Sequence, residues 1–260
     1  MGDYTEITMI DGVAQILLNR PRHYNALDIA TARELSALLL RCATDPEIQC
    51  VLITGAGEAF SAGGDIRRAM SHPRGPGAVF HELATQVHVC VTEIRRMRKP
   101  VLAAINGIAA GGGFSLALAC DFRVMAESAR LKQGFTSNAL CIDAGGTFTL
   151  PRLVGLARAL EIAALDEPVD ARQALAWGLV TEVAADDQLM ERSHALLKRI
   201  RAKSLHTFGW SKTLLSQSLE TALETQLACE REGLVDCASH PDGLEGMRAF
   251  LERRKPLFNR

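Results

Sequence analysis

The stretch VLAAINGIAAGGGFSLALAC, Val101 to Cys120, decides the fold. It carries no charge over about 20 residues, the length of a membrane span. Three consecutive glycines (Gly111–Gly113) and Asn106 interrupt it, and it lies inside an otherwise ordinary polar sequence. A buried strand, a glycine turn and a short buried helix account for it better than a span does.

The segments on either side extend that pattern. TEITMI-DG-VAQILL (Thr5–Leu18) alternates around Asp11-Gly12, a hairpin signal. A helix is predicted from about Ile29 to Ala43, with Leu35, Leu38 and Leu39 on one face. CVLITGAG (Cys50–Gly57) reads as a buried strand, and the glycine- and proline-rich SHPRGPG (Ser71–Gly77) leads into an amphipathic helix that stops at Lys99-Pro100. FRVMAE and ARLKQGF read as further strands. From Thr147 onward the text is almost all helical. Strand–helix alternation followed by helices predicts an α/β fold with parallel strands and a helical C-terminal part. A strand followed by a glycine turn recurs at Gly55, Gly107 and Gly145, which suggests stacked similar units rather than a doubly wound sheet.

A chain of 260 residues can bury one large core or two modest ones. Apolar residues at 48% and charged ones at 23% mark a globular protein and exclude disorder. A net charge of −1 offers no global field for nucleic acid or a membrane surface. The basic runs IRRMRKP, LLKRIRAKS and LERRKPLFNR read as solvated helix faces near C-termini. Seven cysteines contain no CxxC pair, as expected of reduced thiols. The opening MGDYTEITMIDG lacks the charged-then-apolar order of a signal peptide, so a cytoplasmic location is expected.

Several motif-like stretches fail on inspection. AFSAG misses the nucleophile-elbow pattern at Ala59, GIAAGGGFS lacks the Lys-Ser/Thr of a phosphate loop, and HELAT has Thr85 where a second zinc-binding His belongs. No metal set emerges. Two glycine-rich turns do survive, GEAFSAGGDI (Gly57–Ile66) and NGIAAGGGFS (Asn106–Ser115). Each follows a strand and opens a helix, where free N–H groups unshielded by Cβ atoms can stabilise an oxyanion. Tight turns and close packing alone would also explain the glycines.

RPRHYNALD, GEAFSAGGDI, KPVLAAINGIAAGGGFSLALACDFRVMAESA and DAGGTFTLPRLVGLARALEI, in that order, closely resemble the enoyl-CoA hydratase/isomerase (crotonase) superfamily. The resemblance runs on through WGLVTEV to FLERRKPLFNR. It implies a ClpP-like spiral of ββα units over residues 1–200 and a helical trimerisation region over 201–260, assembled as a homotrimer or a hexamer of two trimers. It also implies an acyl-CoA thioester substrate, as in fatty acid metabolism, and no cofactor beyond the coenzyme A that the substrate carries. By position, Gly64 and Gly112 supply the two oxyanion-hole N–H groups. Arg22, Ala26, Ala62, Asp65 and Ile66 match positions along the coenzyme A path. Phe250 and Arg253 match C-terminal contacts to the adenine end, which in many members reach across from a neighbouring subunit.

The chain departs from the hydratases at their two catalytic glutamates, whose positions hold Ser115 and Phe135. Adding water across a double bond needs one group to activate water and another to manage the α-proton. Asp143 stands directly before an Ala-Gly-Gly turn in an apolar run, and the FxxxxxxxDxGG frame from Phe135 resembles ring-1,2-epoxyphenylacetyl-CoA isomerases. Isomerisation needs only one base to lift a proton and return it at another carbon. The resemblance therefore assigns proton transfer to Asp143, with Ser115 and Phe135 beside the substrate. Three other readings stay open: residual hydratase activity, a non-catalytic acyl-CoA binder, and aryl-CoA dehalogenase-like hydrolysis with Asp143 as nucleophile and His88 as base. From the residues alone, Asp143 also qualifies as a helix N-cap.

Overall fold

Asp11 and Gly12 both take positive φ (47° and 73°) and join two antiparallel strands, β1 (Thr5–Ile10) and β2 (Val13–Leu18), as the hairpin signal requires. The computed structural model describes residues 4–259. A short 3-10 turn (Pro21–His23) leads to α1 (Ile29–Thr44), followed by β3 (Cys50–Gly55), β4 (Ala59–Ser61), α2 (Ile66–Ser71) and α3 (Gly75–Arg96). The Val101–Cys120 stretch is no span. It forms β5 (Val101–Ile105), β6 (Ile108–Ala110) and α4 (Gly112–Ala119), and no described helix is long and apolar enough to cross a membrane. Then come β7 (Phe122–Ala126), β8 (Arg130–Lys132) and α5 (Gly146–Leu165).

The rest of the chain holds β9 (Val169–Asp170), α6 (Ala171–Ala176), β10 (Glu182–Ala184), α7 (Leu189–Arg201), α8 (Leu205–Gln217), α9 (Leu223–Ser239) and α10 (Pro241–Leu251). The two short strands correct the almost wholly helical expectation. Glu182–Ala184 finds a partner in β7, aligned Glu182 to Val124, and Val169–Asp170 pairs with β8. Strands this short have no sequence period of their own; the open edges of the two sheets select them.

Two sheets result, a six-stranded one in the order β1-β2-β3-β5-β7-β10 and a four-stranded one in the order β4-β6-β8-β9. Successive strand pairs (β3 and β4, β5 and β6, β7 and β8) each contribute one member to each sheet before a helix returns the chain. That is the expected spiral of ββα units. The pairing is parallel through β2, β3, β5, β7 and β10 in the first sheet and through β4, β6 and β8 in the second. Strands β3 and β5 are buried along their whole length, which explains their near-continuous apolar sequences; the one polar side chain, Thr54, donates its hydroxyl to Ala104 O (2.8 Å).

Where β5 begins, a buried charge pair ties the C-terminal helices to the spiral. The Lys212 ammonium on α8 donates to Asp121 Oδ2 (2.7 Å) and to the carbonyls of Ile94 (2.6 Å) and Lys99 (3.2 Å). All three ammonium protons are thereby used, the condition under which a buried ion pair is tolerated. Asp121 in turn accepts from the Val101 amide at 2.9 Å, fixing the first residue of β5.

Candidate active site

The segment NRPRHYNALD forms a strap across the β4–α2 loop. Tyr24 and Asn25 take left-handed φ (49° and 54°), and this turns the Asn25 side chain inward to donate to the Ala56 (2.9 Å) and Ala59 (2.7 Å) carbonyls. In return, the Ser61 hydroxyl donates to the Asn25 carbonyl (2.8 Å), the Leu27 amide to Gly63 O (2.7 Å) and the Asp65 amide to Leu27 O (2.9 Å). Arg20, nearly buried, completes the fastening by donating to Ala26 O (2.6 Å) and pairing with Asp65 (3.1 Å) and Asp28 (3.4 Å). Asp28 caps α1 through the Thr31 amide and also meets Arg68 at 2.6 Å. Burial alone would raise the Asp28 pKa. The Thr31 amide and hydroxyl, with the Arg20 and Arg68 charges, instead hold it below the usual carboxylate range.

The strapped loop meets the second glycine turn at one point. Gly63 has φ +85°, and a Cβ there would fall 2.7 Å from both the Ala110 carbonyl oxygen and the Gly112 nitrogen. Only glycine permits that approach. A Cβ on Gly112 would lie 3.8 Å from the Gly64 nitrogen, so the two glycines sit side by side. The Gly112 N–H is the first of α4 and has no partner within the helix. Gly64 N–H donates to no acceptor among the described residues. Two adjacent free N–H groups, one reinforced by a helix N-terminus, have the arrangement an oxyanion hole requires.

The hole opens into a cavity of about 430 Å³. Leu27, Phe80, Leu83, Val87, Phe135 and Leu140 give it apolar walls, and Asp143 stands among them. Asp143 does not cap α5. Gly145 occupies the cap position without any side-chain bond, and the Asp143 carboxylate instead meets His88 Nε2 at 2.7 Å. An ionised carboxylate only accepts hydrogen bonds, so His88 donates from Nε2 to it. His88 comes from α3, 55 positions earlier in the chain. The Asp143 side chain remains 42% exposed, so it is reachable from the cavity. Among the described residues, no three His, Cys, Asp or Glu side chains converge as a metal set.

Paired free N–H groups at crossed glycine turns border an apolar cavity lined by one carboxylate. The family model for enoyl-CoA hydratase/isomerase matches residues 8–260. The chain belongs to that family. A 1,2-epoxyphenylacetyl-CoA isomerase of Escherichia coli is 34% identical over 95% of both chains. A short-chain-enoyl-CoA hydratase of Clostridium acetobutylicum is 33% identical, over 94% of this chain and 92% of that one. A crystal structure described as an enoyl-CoA hydratase from Polaromonas sp. JS666 superposes with a TM-score of 0.93 at 32% identity, covering 98% of this chain and 99% of that one. The protein is therefore an acyl-CoA-metabolising enzyme of the crotonase superfamily.

The residues expected from the resemblance divide into two groups. Gly64, Gly112, Asp143, Ala62, Ile66 and Phe135 line the one cavity. Arg22, Ala26, Asp65, Ser115, Phe250 and Arg253 do not line it. Arg22 is exposed on the 3-10 turn, Ala26 is buried in the strap, and Asp65 caps α2 through the Arg68 amide while pairing with Arg20. Ser115 lies fully buried within α4, its hydroxyl without a hydrogen-bond partner. A Cβ on Gly146 would lie 2.5 Å from that hydroxyl, so Ser115 sits beneath the turn that carries Asp143. Phe250 is 83% exposed on α10, and Arg253 is exposed just beyond it. Sequence reasoning missed Arg20, Asn25 and Asp28 as the fastening of the hole, and Lys132 and Cys141 as cavity wall.

Substitution of Gly63 by Ala tests the interlock. We expect the folded protein to lose kcat by about 10²–10³, the effect of one displaced oxyanion donor. Steady-state kinetics beside circular dichroism would check it; unchanged kcat in a folded variant would remove the interlock from catalysis.

Proposed function

We propose that this enzyme shifts a double bond in an enoyl-CoA thioester, with Asp143 as the single proton shuttle. The observation that supports this most is the carboxylate inventory of the cavity: Asp143 is its one acidic lining residue, and Phe135 and the buried Ser115 replace the hydratases' pair of glutamates. The thioester oxygen sits in the Gly64–Gly112 hole, which stabilises the negative charge that develops when a proton leaves beside the activated system. Asp143 takes that proton and returns it at another carbon. His88 holds the carboxylate in place throughout by its hydrogen bond. The reaction needs no metal or redox cofactor, and coenzyme A enters with the substrate. We place the enzyme in the cytoplasm, in keeping with its reduced thiols.

The Asp143→Asn variant keeps the side chain's shape and cannot carry a proton. Incubated in deuterium oxide with 2- and 3-enoyl-CoA esters, wild type should exchange α/γ-protons and move the double bond. The folded variant should lose both activities by at least about 10², the usual contribution of a general base. Equal exchange by the two proteins would remove Asp143 from the chemistry.

The 2.7 Å contact between His88 and Asp143 favours one second reading, hydrolytic displacement. There the Asp143 oxygen bonds to a ring carbon of an aryl-CoA, and the halide leaves with its electron pair. Water, deprotonated by His88, then cleaves the resulting ester at its carboxyl carbon. A single turnover in H2(18)O separates the two, because displacement leaves the heavy oxygen in Asp143 and isomerisation leaves none. Peptide mass spectrometry should find Asp143 unlabelled; a labelled Asp143 would replace the isomerase reading.

A homotrimer or a dimer of trimers is the assembly we propose. Leu215, Leu219, Leu234 and Phe250, all in the C-terminal α8–α10 segment, are 70–83% exposed in the single chain, and large apolar side chains left exposed are what an interface would cover. Light scattering should give three or six times the chain mass, and a monomer at micromolar concentration would refute the assembly.

A further inference from the structure

The wall of the acyl cavity is not uniformly apolar. Its one lysine, Lys132, ends strand β8 beside the oxyanion turn, where its carbonyl accepts from the Gly111 amide (3.1 Å) and its residue pairs with Ala110 across the ladder. Ser137 and Asn138 line the same cavity a few residues further on. The Lys132 ammonium makes no hydrogen bond and no ion pair within 4.0 Å among the described residues. Its charge acts on Asp166, and that carboxylate already accepts from the Gly134 amide (2.7 Å), the Ser137 amide (2.9 Å) and the Ser137 hydroxyl. The other charged lining residue, Asp143, is held by His88. Lys132 is half-buried and is the one cation among the lining residues, so its ammonium can answer a negative group that a ligand brings. A plain hydrocarbon acyl chain would desolvate the ammonium and offer it nothing.

We propose that the acyl cavity takes a short acyl chain ending in a carboxylate, and that the Lys132 ammonium, at the cavity wall beside the oxyanion turn, binds that carboxylate. This rests on the acyl-CoA reading above and names the substrate class of the same site. Thioester oxygen and distal carboxylate are then held at two points, by the glycine N–H pair and by Lys132. The acyl carbons between them are fixed relative to Asp143. Lys132 is a specificity residue and takes no part in the proton transfer.

Saturated esters test binding without turnover. Titration calorimetry would compare hexanoyl-CoA with its ω-carboxyl analogue adipoyl-CoA, on wild type, Lys132→Met and Lys132→Arg. Wild type should bind adipoyl-CoA at least as tightly as hexanoyl-CoA. Lys132→Met should weaken adipoyl-CoA by about tenfold or more, the loss of one charge-assisted hydrogen bond, and leave hexanoyl-CoA within about twofold. Lys132→Arg should retain most of the adipoyl affinity. The proposal is overturned if wild type binds hexanoyl-CoA well and rejects adipoyl-CoA. It is equally overturned if Lys132→Met weakens both esters alike. In that case the lysine serves the phosphates of coenzyme A, and the matching pantetheine esters, which lack them, would be indifferent to the substitution. If wild type binds neither ester nor coenzyme A, the acyl-CoA reading itself falls.

Discussion

The candidate site of this protein depends on two stretches of backbone approaching more closely than any side chain allows. Gly63 lies against the Ala110–Gly112 turn with no room for a Cβ, and only that approach sets the Gly64 and Gly112 N–H groups side by side. Neither N–H does structural work: one belongs to a loop residue, the other to the first turn of α4. Two unpaired donors at one point would normally be a cost, since backbone donors out of water want partners. Under the proposed mechanism that cost is the preorganisation. The donors are fixed before substrate arrives and gain their acceptor as charge develops.

A fixed hole needs fixed loops, and the strap provides that. Its effect comes from many modest bonds acting together rather than from one strong pair. Arg20 binds a carbonyl and two carboxylates, Asn25 two carbonyls, and Asp28 both a helix start and Arg68. Asp28, Asp65 and the Ala59 carbonyl each serve two partners, so loosening one member leaves a buried polar group unsatisfied elsewhere. Asp65 illustrates the consequence. Its carboxylate serves the α2 cap and Arg20, so its influence on substrate runs through the position of Gly64 beside it.

Much of this was legible in the sequence, for identifiable reasons. Buried parallel strands are apolar almost without interruption, so β3 and β5 announce themselves. Turns that require glycine are written as glycine, so both halves of the hole were visible before their meeting was. The unexpected elements were those whose identity depends on distant neighbours. Strands β9 and β10 exist because sheet edges were available to them. The Asp143–His88 bond joins α3 to the turn before α5; the resemblance to dehalogenases brings the two residues together, whereas a lone histidine on an amphipathic helix gives by itself no sign of its partner. The reading of Asp143 as a helix cap failed for a local reason. The cap falls two residues later, on Gly145, where φ is +74° and no side chain competes.

The replacement of the hydratases' glutamates is structural as well as chemical. Ser115 is sealed within α4 close under Gly146, its hydroxyl unpaired, so the position that holds a hydratase glutamate contributes no side chain to the cavity wall here. Phe135, at the other position, adds apolar surface to the cavity wall. Both changes remove polar groups that could order a water molecule against the acyl chain, and both leave the glycine hole untouched. Stabilising an enolate and adding water are separable tasks in this fold, because the backbone performs the first and side chains the second. Under the proposed function, a chain that keeps the backbone geometry and retains one carboxylate would keep proton transfer while shedding the equipment for hydration. The Lys132 ammonium follows the same division, since a wall side chain can change which acyl group is accepted without touching the hole.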